Sequence, residues 1–425
     1  MSTEAAPSPL VTAEPEAPAI PQRFGPRQTF AALRHRNYRL WFAGQLTSLL
    51  GTWMQSTAQG FLVYELTHSP AYLGYVGFAT GLPSWLFMLW GGVVADRIPR
   101  RRLLLATQVA MMALAIVLAT LTYLHWVAPW HIVLLAFLLG IANAFDAPAR
   151  QAFVLEMVDR EDLTNAIALN STMFNTATAM GPAVAGLVYA VRGPGFCFAV
   201  NAASFLAVIG ALLMMRMPDA RPRVETSALQ ALREGLAYVL GSAPIRTLMT
   251  TMVITSLFGL SYATLVPAWA VKVLGGDAST NGFLQAARGF GALSAALMIA
   301  SLGNVRRKGR LLTIGTILYP SLLIVFSGVR ATWLALAILF AVGWGQMAMF
   351  NMANALVQGL VPDALRGRVM GIYTFTFFGF MPLGAILAGQ VAERWGEVVT
   401  VAAGSSLALL YALYACIFVP RVRRL

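Results

Sequence analysis

The chain has 425 residues, of which 58% are hydrophobic and only 11% charged, and its mean hydropathy is +0.69. Ordinary soluble domains are about 45–50% apolar, so this composition calls for lipid as the solvent and excludes a water-soluble core. The net charge of +13 would suit nucleic acid, but its placement argues against that partner: 25 of the 30 basic residues fall on one side of the apolar segments, which puts that side and both termini in the cytoplasm.

Residues 1–30 are rich in Pro, Ala and Glu without an apolar run, and read as a disordered cytoplasmic tail rather than a signal peptide. Apolar segments then follow at 40–64, 71–95, 103–125, 131–152, 165–190, 196–216, 247–270, 280–302, 311–328, 332–355, 368–392 and 398–419. Each suits a hydrocarbon layer about 30 Å thick. With no water to satisfy their backbones, all must be helical. The expectation is an all-α membrane protein of twelve transmembrane helices: one six-helix bundle over 31–216, a cytoplasmic linker over 217–246 and a second bundle over 247–425. Ser227 to Leu240 in the linker is amphipathic and suits the membrane surface.

The first segment carries Gln45, Ser48, Thr52, Gln55 and Gln59 on one helical stripe. In lipid that stripe must point inward, to a cavity or to another helix. The second ends in Gly92-Val-Val-Ala-Asp96-Arg97-Ile-Pro-Arg100-Arg101-Arg102. Its arginines hold the loop at an anionic leaflet, and Asp96 can meet the positive end of a neighbouring helix.

Asn143, Asp146 and Arg150 share a face at the end of the fourth segment. The acid and base either neutralise each other or belong to a gate or proton route. In the fifth, Ser171, Asn175 and Thr178 lead into Gly181-Pro182-Ala-Val-Ala185-Gly186. Small residues there let helix backbones approach, and Pro182 removes a donor at mid-helix. Cys197 and Cys416 lie inside segments and imply neither a disulfide nor a metal site.

Arg288 is the one basic residue well inside a segment. An arginine at that depth costs roughly 2.5–3.5 kcal/mol on insertion scales, so it either contacts substrate or a gate, or it snorkels and packs. The aromatic residues Tyr262, Trp269, Trp344, Phe375, Phe377, Phe378 and Phe380 either line an apolar pocket or pack.

The two bundles are repeats. Val158 to Gly193 aligns without gaps on Val361 to Gly396, matching Gly181 with Gly384 and Gly186 with Gly389, and Gly140 matches Gly343 at the same offset. At a slightly longer offset Gly74 matches Gly282, Gly81 matches Gly289, and Thr80 stands where the second half has Arg288. Two such bundles can rock about a shared central site.

On these residues the chain resembles the major facilitator superfamily, whose signature between helices 2 and 3 is Gly-x-x-x-Asp-Arg-x-Gly-Arg-Arg. Here Pro99 replaces a Gly, and the second-half equivalent of Asp96 is Asn304. The resemblance implies a cytoplasmic latch built from Gly92, Asp96, Arg97, Arg100 and Arg101 against helix 11, near Arg366 and Gly367. Gly181, Pro182 and Gly186 resemble a stretch found in the superfamily's exporters. The segments Phe30 to Trp41, Ser48 to Trp53 and Phe145 to Gln151 look like the branch of enterobactin exporters and macrolide efflux proteins.

The implied protein is a secondary active exporter of small drug-like or siderophore-like molecules, working by alternating access and proton antiport in a prokaryotic inner membrane; the alternatives are an ion-coupled uptake carrier of the same superfamily and a non-transporting membrane sensor with the same fold. The mid-helix-4 Arg common among antiporters is replaced by Ala136. Expected partners are a small-molecule substrate, a proton or other ion gradient and the lipid bilayer, with the chain a monomer. His35, His68, His125 and His131 are scattered, and no phosphate-cradling Gly-x-x-x-x-Gly-Lys stretch occurs. No enzyme activity, metal, cofactor or nucleic acid is therefore expected.

Overall fold

The computed structural model describes residues 30–216, 228–302 and 308–418. The tail up to residue 29, linker residues 217–227, Asn304 and the side chains of Gly92 and Asp96 lie outside the described residues. Within them the chain forms helices α1 (Arg36–Thr67), α2 (Pro70–Arg97), α3 (Arg100–Tyr123), α4 (Pro129–Val154), α5 (Leu163–Arg192) and α6 (Pro194–Met214), then a short α7 (Ala228–Gly241). The second half supplies α8 (Ala243–Val273), α9 (Ala278–Leu302), α10 (Lys308–Gly328), α11 (Thr332–Leu360), α12 (Asp363–Trp395) and α13 (Glu397–Phe418). Among the described residues nine of these are long and apolar enough to cross a membrane. Helices α1, α2 and α5 have 32, 28 and 30 residues and pack into the same bundles.

The punctuation is local chemistry. Pro70, Pro129 and Pro194 stand in the first turns of α2, α4 and α6, where a missing N–H leaves nothing unsatisfied. Helices α5 and α12 both stop on a glycine with positive φ, Gly193 at 78° and Gly396 at 83°. The matched repeats thus end in the same turn, one that a side chain would strain.

Packing follows the repeat. In the first half α1 lies on α5 and α6, α2 on α4, and α3 on α4 and α6; in the second α9 lies on α11, and α10 on α11 and α13. The broad contacts between halves are α2 with α12 and α5 with α9. The end carrying Arg97, Arg100–Arg102 and the starts of α5 and α12 is called here the basic end. The far end carries the turns at Ser69, Gly193 and Gly396.

Two expected helices are irregular. The seventh segment is π-helical over Thr255–Gly259, 3-10 over Leu260–Leu265 and π-helical again over Trp269–Val273. Pro267, inside that stretch, can neither donate to nor fit over the carbonyl one turn earlier. The eleventh is interrupted at Gly379, between limbs Asp363–Phe378 and Phe380–Trp395. Pro382 lacks the N–H that would bond the Phe378 carbonyl, which places the break.

Candidate functional site

The far end is closed by backbones in near contact. A side-chain carbon added to Gly74 on α2 would stand 2.8 Å from the carbonyl oxygen of Ala385 and 3.1 Å from the Cα of Gly389, both on α12. Across the pseudo-twofold, one added to Gly282 on α9 would stand 2.5 Å from the carbonyl of Pro182 and 2.8 Å from the Cα of Gly186 on α5. Gly81 meets Pro382, and its repeat mate Gly289 meets Ala179, the repeat mate of Pro382. The aligned small residues therefore form two equivalent seams along which the halves touch. Gly181 serves a different neighbour, lying against the Cβ of Trp53 on α1.

Polar contacts lock the same end. The Glu393 carboxylate on α12 accepts hydrogen bonds from the Ser69 hydroxyl at 2.6 Å and the Ala71 amide at 3.2 Å, capping the positive end of α2 from the other half. Gln390 on α12 donates to the Tyr75 hydroxyl at 2.8 Å. Lys272 pairs with Glu397 at 3.0 Å and sits 5.9 Å from the ring centre of Tyr64 on α1, a cation–π contact between halves. The apolar cluster around Phe61, Leu62 and Tyr64 also takes in Ala268 and Ala278 from the second half.

Toward the basic end the seams stop. On one side Trp85 of α2 meets α12 at its break, its indole donating to the Gly379 carbonyl at 2.6 Å. Beyond it, the Asp363–Phe378 limb turns to α7: Arg368 pairs with Glu234, and Gly235 packs on Arg368 and Ile372. On the other side, the α5 face that meets α9 through Ala179, Pro182 and Gly186 continues as Thr178, Asn175 and Ser171. These three bond only their own helix, to Phe174, Ser171 and Ile167 carbonyls at 2.6, 2.9 and 3.0 Å, and their outward sides are uncovered. Polar groups on a membrane helix tend to face other helices or a cavity rather than lipid. Among the described residues, the close backbone contacts between the halves thus lie at the far end.

The residues singled out in the sequence fall into several places. Gln55 accepts from Asn201 of α6 at 2.7 Å, and buried Gln59 reaches the Ile132 carbonyl of α4 at 3.5 Å, so both sit in helix–helix seams. Gln45 is buried with its carbonyl oxygen unpartnered, and Thr52 bonds the Ser48 carbonyl at 2.9 Å. Asp146 is 1% exposed, accepts from Thr107 and Gln108 of α3 at 2.8 and 2.9 Å, and pairs with Arg150 at 3.3 Å, with Asn143 half-buried one turn earlier. Of the loop arginines, Arg97 is exposed, Arg100 pairs with Glu156, and Arg101 caps α6 through the Leu212 and Leu213 carbonyls at 2.7 and 3.0 Å. Arg288 is half-buried beside Tyr262. Among the aromatics, Trp269 stacks on Phe326 at 4.6 Å within the far-end core, whereas Phe375 and Phe380 cluster with Trp85 at the α12 break.

The partners Thr107, Gln108, Glu156 and Asn201, and the cap that Glu393 places on α2, went unseen in the sequence. Each contact joins different helices, so no local spacing announces it.

Over residues 27–424 the chain matches the model of the transmembrane secretion effectors. It belongs to that family of the major facilitator superfamily. It is 24% identical to the staphyloferrin A transporter of Staphylococcus aureus over 365 residues, covering 85% of this chain and 91% of the relative. It is also 26% identical to the multidrug efflux pump Tap of Mycolicibacterium fortuitum (89% and 95% covered) and 25% identical to the enterobactin exporter EntS of Shigella flexneri (92% and 93%). Among solved structures it is similar to a POT family transporter, with a TM-score of 0.73 at 12% identity over 91% of this chain and 96% of that one. It is likewise similar to the nucleoside transporter NupG, with a TM-score of 0.67 at 14% identity over 91% and 98%. These likenesses identify the major facilitator fold, and the family is one of multi-pass membrane transporters.

Proposed function

We propose that the protein is a secondary active exporter of small drug-like or siderophore-like molecules, working by alternating access and driven by proton antiport. The observation that carries this reading is the pair of equivalent small-residue seams between two repeated bundles, which lets them rock without either unfolding. The names of the relatives supply the substrate classes and the direction. The charge bias puts the basic end in the cytoplasm of a prokaryote, so that end faces inward, where an exporter loads. The moving bodies are residues 31–216 and 247–425, joined by 217–246, in a monomer.

Asp96 is the latch of this end. When the cytoplasmic side closes, its carboxylate meets the N-terminal end of α12, and Gly92, Arg97, Arg100 and Arg101 shape and anchor the loop. Gln45, Thr52, Gln55, Gln59, Asn143, Asp146, Arg150 and Arg288 are proposed as substrate and gate residues, the first four by setting how α1 leans on its neighbours. Asp146, the most buried of their charged groups, joins Arg150 in the cytoplasmic gate. Pro182 and Gly186 form the seam that seals the far side, and Gly181 lets α5 close onto α1 behind it.

The test is growth of an efflux-deficient bacterium against a panel of drugs and siderophore-like compounds, with this protein or its Asp96→Asn variant. Resistance that the variant abolishes supports export, and increased sensitivity throughout reverses the direction.

A further inference from the structure

The face of α9 opposite the lipid is polar and unfinished. Phe283, Phe290 and Leu297 recur every seven residues and are 41%, 43% and 56% exposed, which marks the lipid side of the helix. On the opposite side Asn281, Gln285 and Arg288 follow at spacings of four and three, away from the lipid and buried or half-buried. Gln285 donates to the Asn281 carbonyl oxygen at 3.1 Å, while the Asn281 amide nitrogen is buried without a partner. The Tyr262 hydroxyl of the irregular helix α8 is buried without a hydrogen-bond partner, and the Arg288 charge lies close enough to act on it. Among the described residues no ion pair includes Arg288.

Packing does not explain the arginine. Gly343 of α11 seats on the Arg288 carbonyl, and in the first half Gly140 of α4 seats on the Thr80 carbonyl in the same way. The same backbone niche is therefore built with a threonine, whose hydroxyl simply bonds the Val76 carbonyl at 2.8 Å. A permanent cation without a counter-ion, beside unsatisfied donors, is stabilised when an anion arrives.

We infer that Arg288, with Tyr262 and Asn281, is an anion-binding site that holds a carboxylate or similar negatively charged group of the exported molecule. This rests on the transport reading and narrows it, since exported compounds would be organic anions with an apolar body. The guanidinium fork binds the acid and the Tyr262 hydroxyl and Asn281 amide donate to it, while rocking of the halves changes which side the bound anion faces.

The test uses three radiolabelled probes that share one apolar body and differ in charge: naphthoate, naphthamide and naphthylmethylammonium. Their binding is measured to the full chain in lipid nanodiscs. The wild type should bind naphthoate about tenfold tighter than naphthamide, and the ammonium most weakly. Arg288→Gln should bring naphthoate down to the level of the amide, while Arg288→Lys keeps part of the preference. Equal or absent binding of all three by the wild type, or a preference that survives Arg288→Gln, overturns the site. Gradient-driven flux in liposomes is followed alongside. Flux without charge preference removes the anion site alone, and preference without flux removes the exporter reading while leaving the site.

Discussion

The two ends of the inter-half interface are built from the same four helices, α2, α5, α9 and α12, yet they differ in kind. At the far end glycines bring backbones within van der Waals reach, and Glu393 caps a helix of the opposite half. At the basic end the same α5 face carries Ser171, Asn175 and Thr178, each satisfied by its own backbone, and the α12 limb leans on α7 through Arg368 and Glu234. A seam of glycines closes by shape and tolerates little change. A seam of self-satisfied polar groups and charges opens at small cost, because water replaces the partner. One interface can therefore combine a tight seal at one end with a seam built to open at the other.

The strongest way to break that contrast is to spoil the shape. Gly282→Val puts a carbon 2.5 Å from the Pro182 carbonyl, where nothing can yield without parting the helices. Overpacking of this kind costs about 1–3 kcal/mol, so gradient-driven flux in liposomes should fall up to roughly a hundredfold. Gly210→Ala, at a glycine with open space around it, should leave flux unchanged.

Next comes the charge that acts when the basic end shuts. Asp96→Asn should lose about 1–2 kcal/mol of contact with a helix terminus, roughly a tenfold loss of flux, with insertion and thermal stability kept. Full flux in that variant removes the latch. Glu393→Gln acts at the opposite end and in the opposite sense. Weakening the α2 cap by about 1 kcal/mol should raise the far-open population roughly fivefold, read as labelling of a cysteine placed at Ala71, which is buried in the closed far end. The smallest effect is expected for Glu234→Gln, because both partners of its bond to Arg368 are about a third or more exposed. A change in flux of no more than about twofold is expected.

Much of this was legible in the sequence. Apolar segment lengths announced the helices, and the matched glycines announced a repeat that the structure turns into matched seams. The amphipathic stretch from Ser227 coincides with α7. Pro267 and Pro382 were visible, but whether a membrane proline kinks or breaks its helix depends on the neighbours that re-satisfy the freed carbonyls. The stripe through Gln55 and Gln59 announced that these groups point inward. It did not say that Asn201 and the Ile132 carbonyl would meet them, since those lie on other helices. The Asp146–Arg150 pair was readable at one turn's spacing, whereas Thr107 and Gln108 join it from α3.

The central claim is that the two ends open in alternation, and one pair of helices reports both. In a variant with Cys197 and Cys416 replaced by alanine, spin labels at Gln151 and Gln358 span the basic ends of α4 and α11, and labels at Trp130 and Trp333 span their far ends. Distances are measured in nanodiscs by electron–electron resonance, in wild type and with Glu393→Gln. The account predicts opposed changes: as the far-end distance lengthens in Glu393→Gln, the basic-end distance shortens. Distances that lengthen together, or a far end that opens while the basic end stays unchanged, would contradict it.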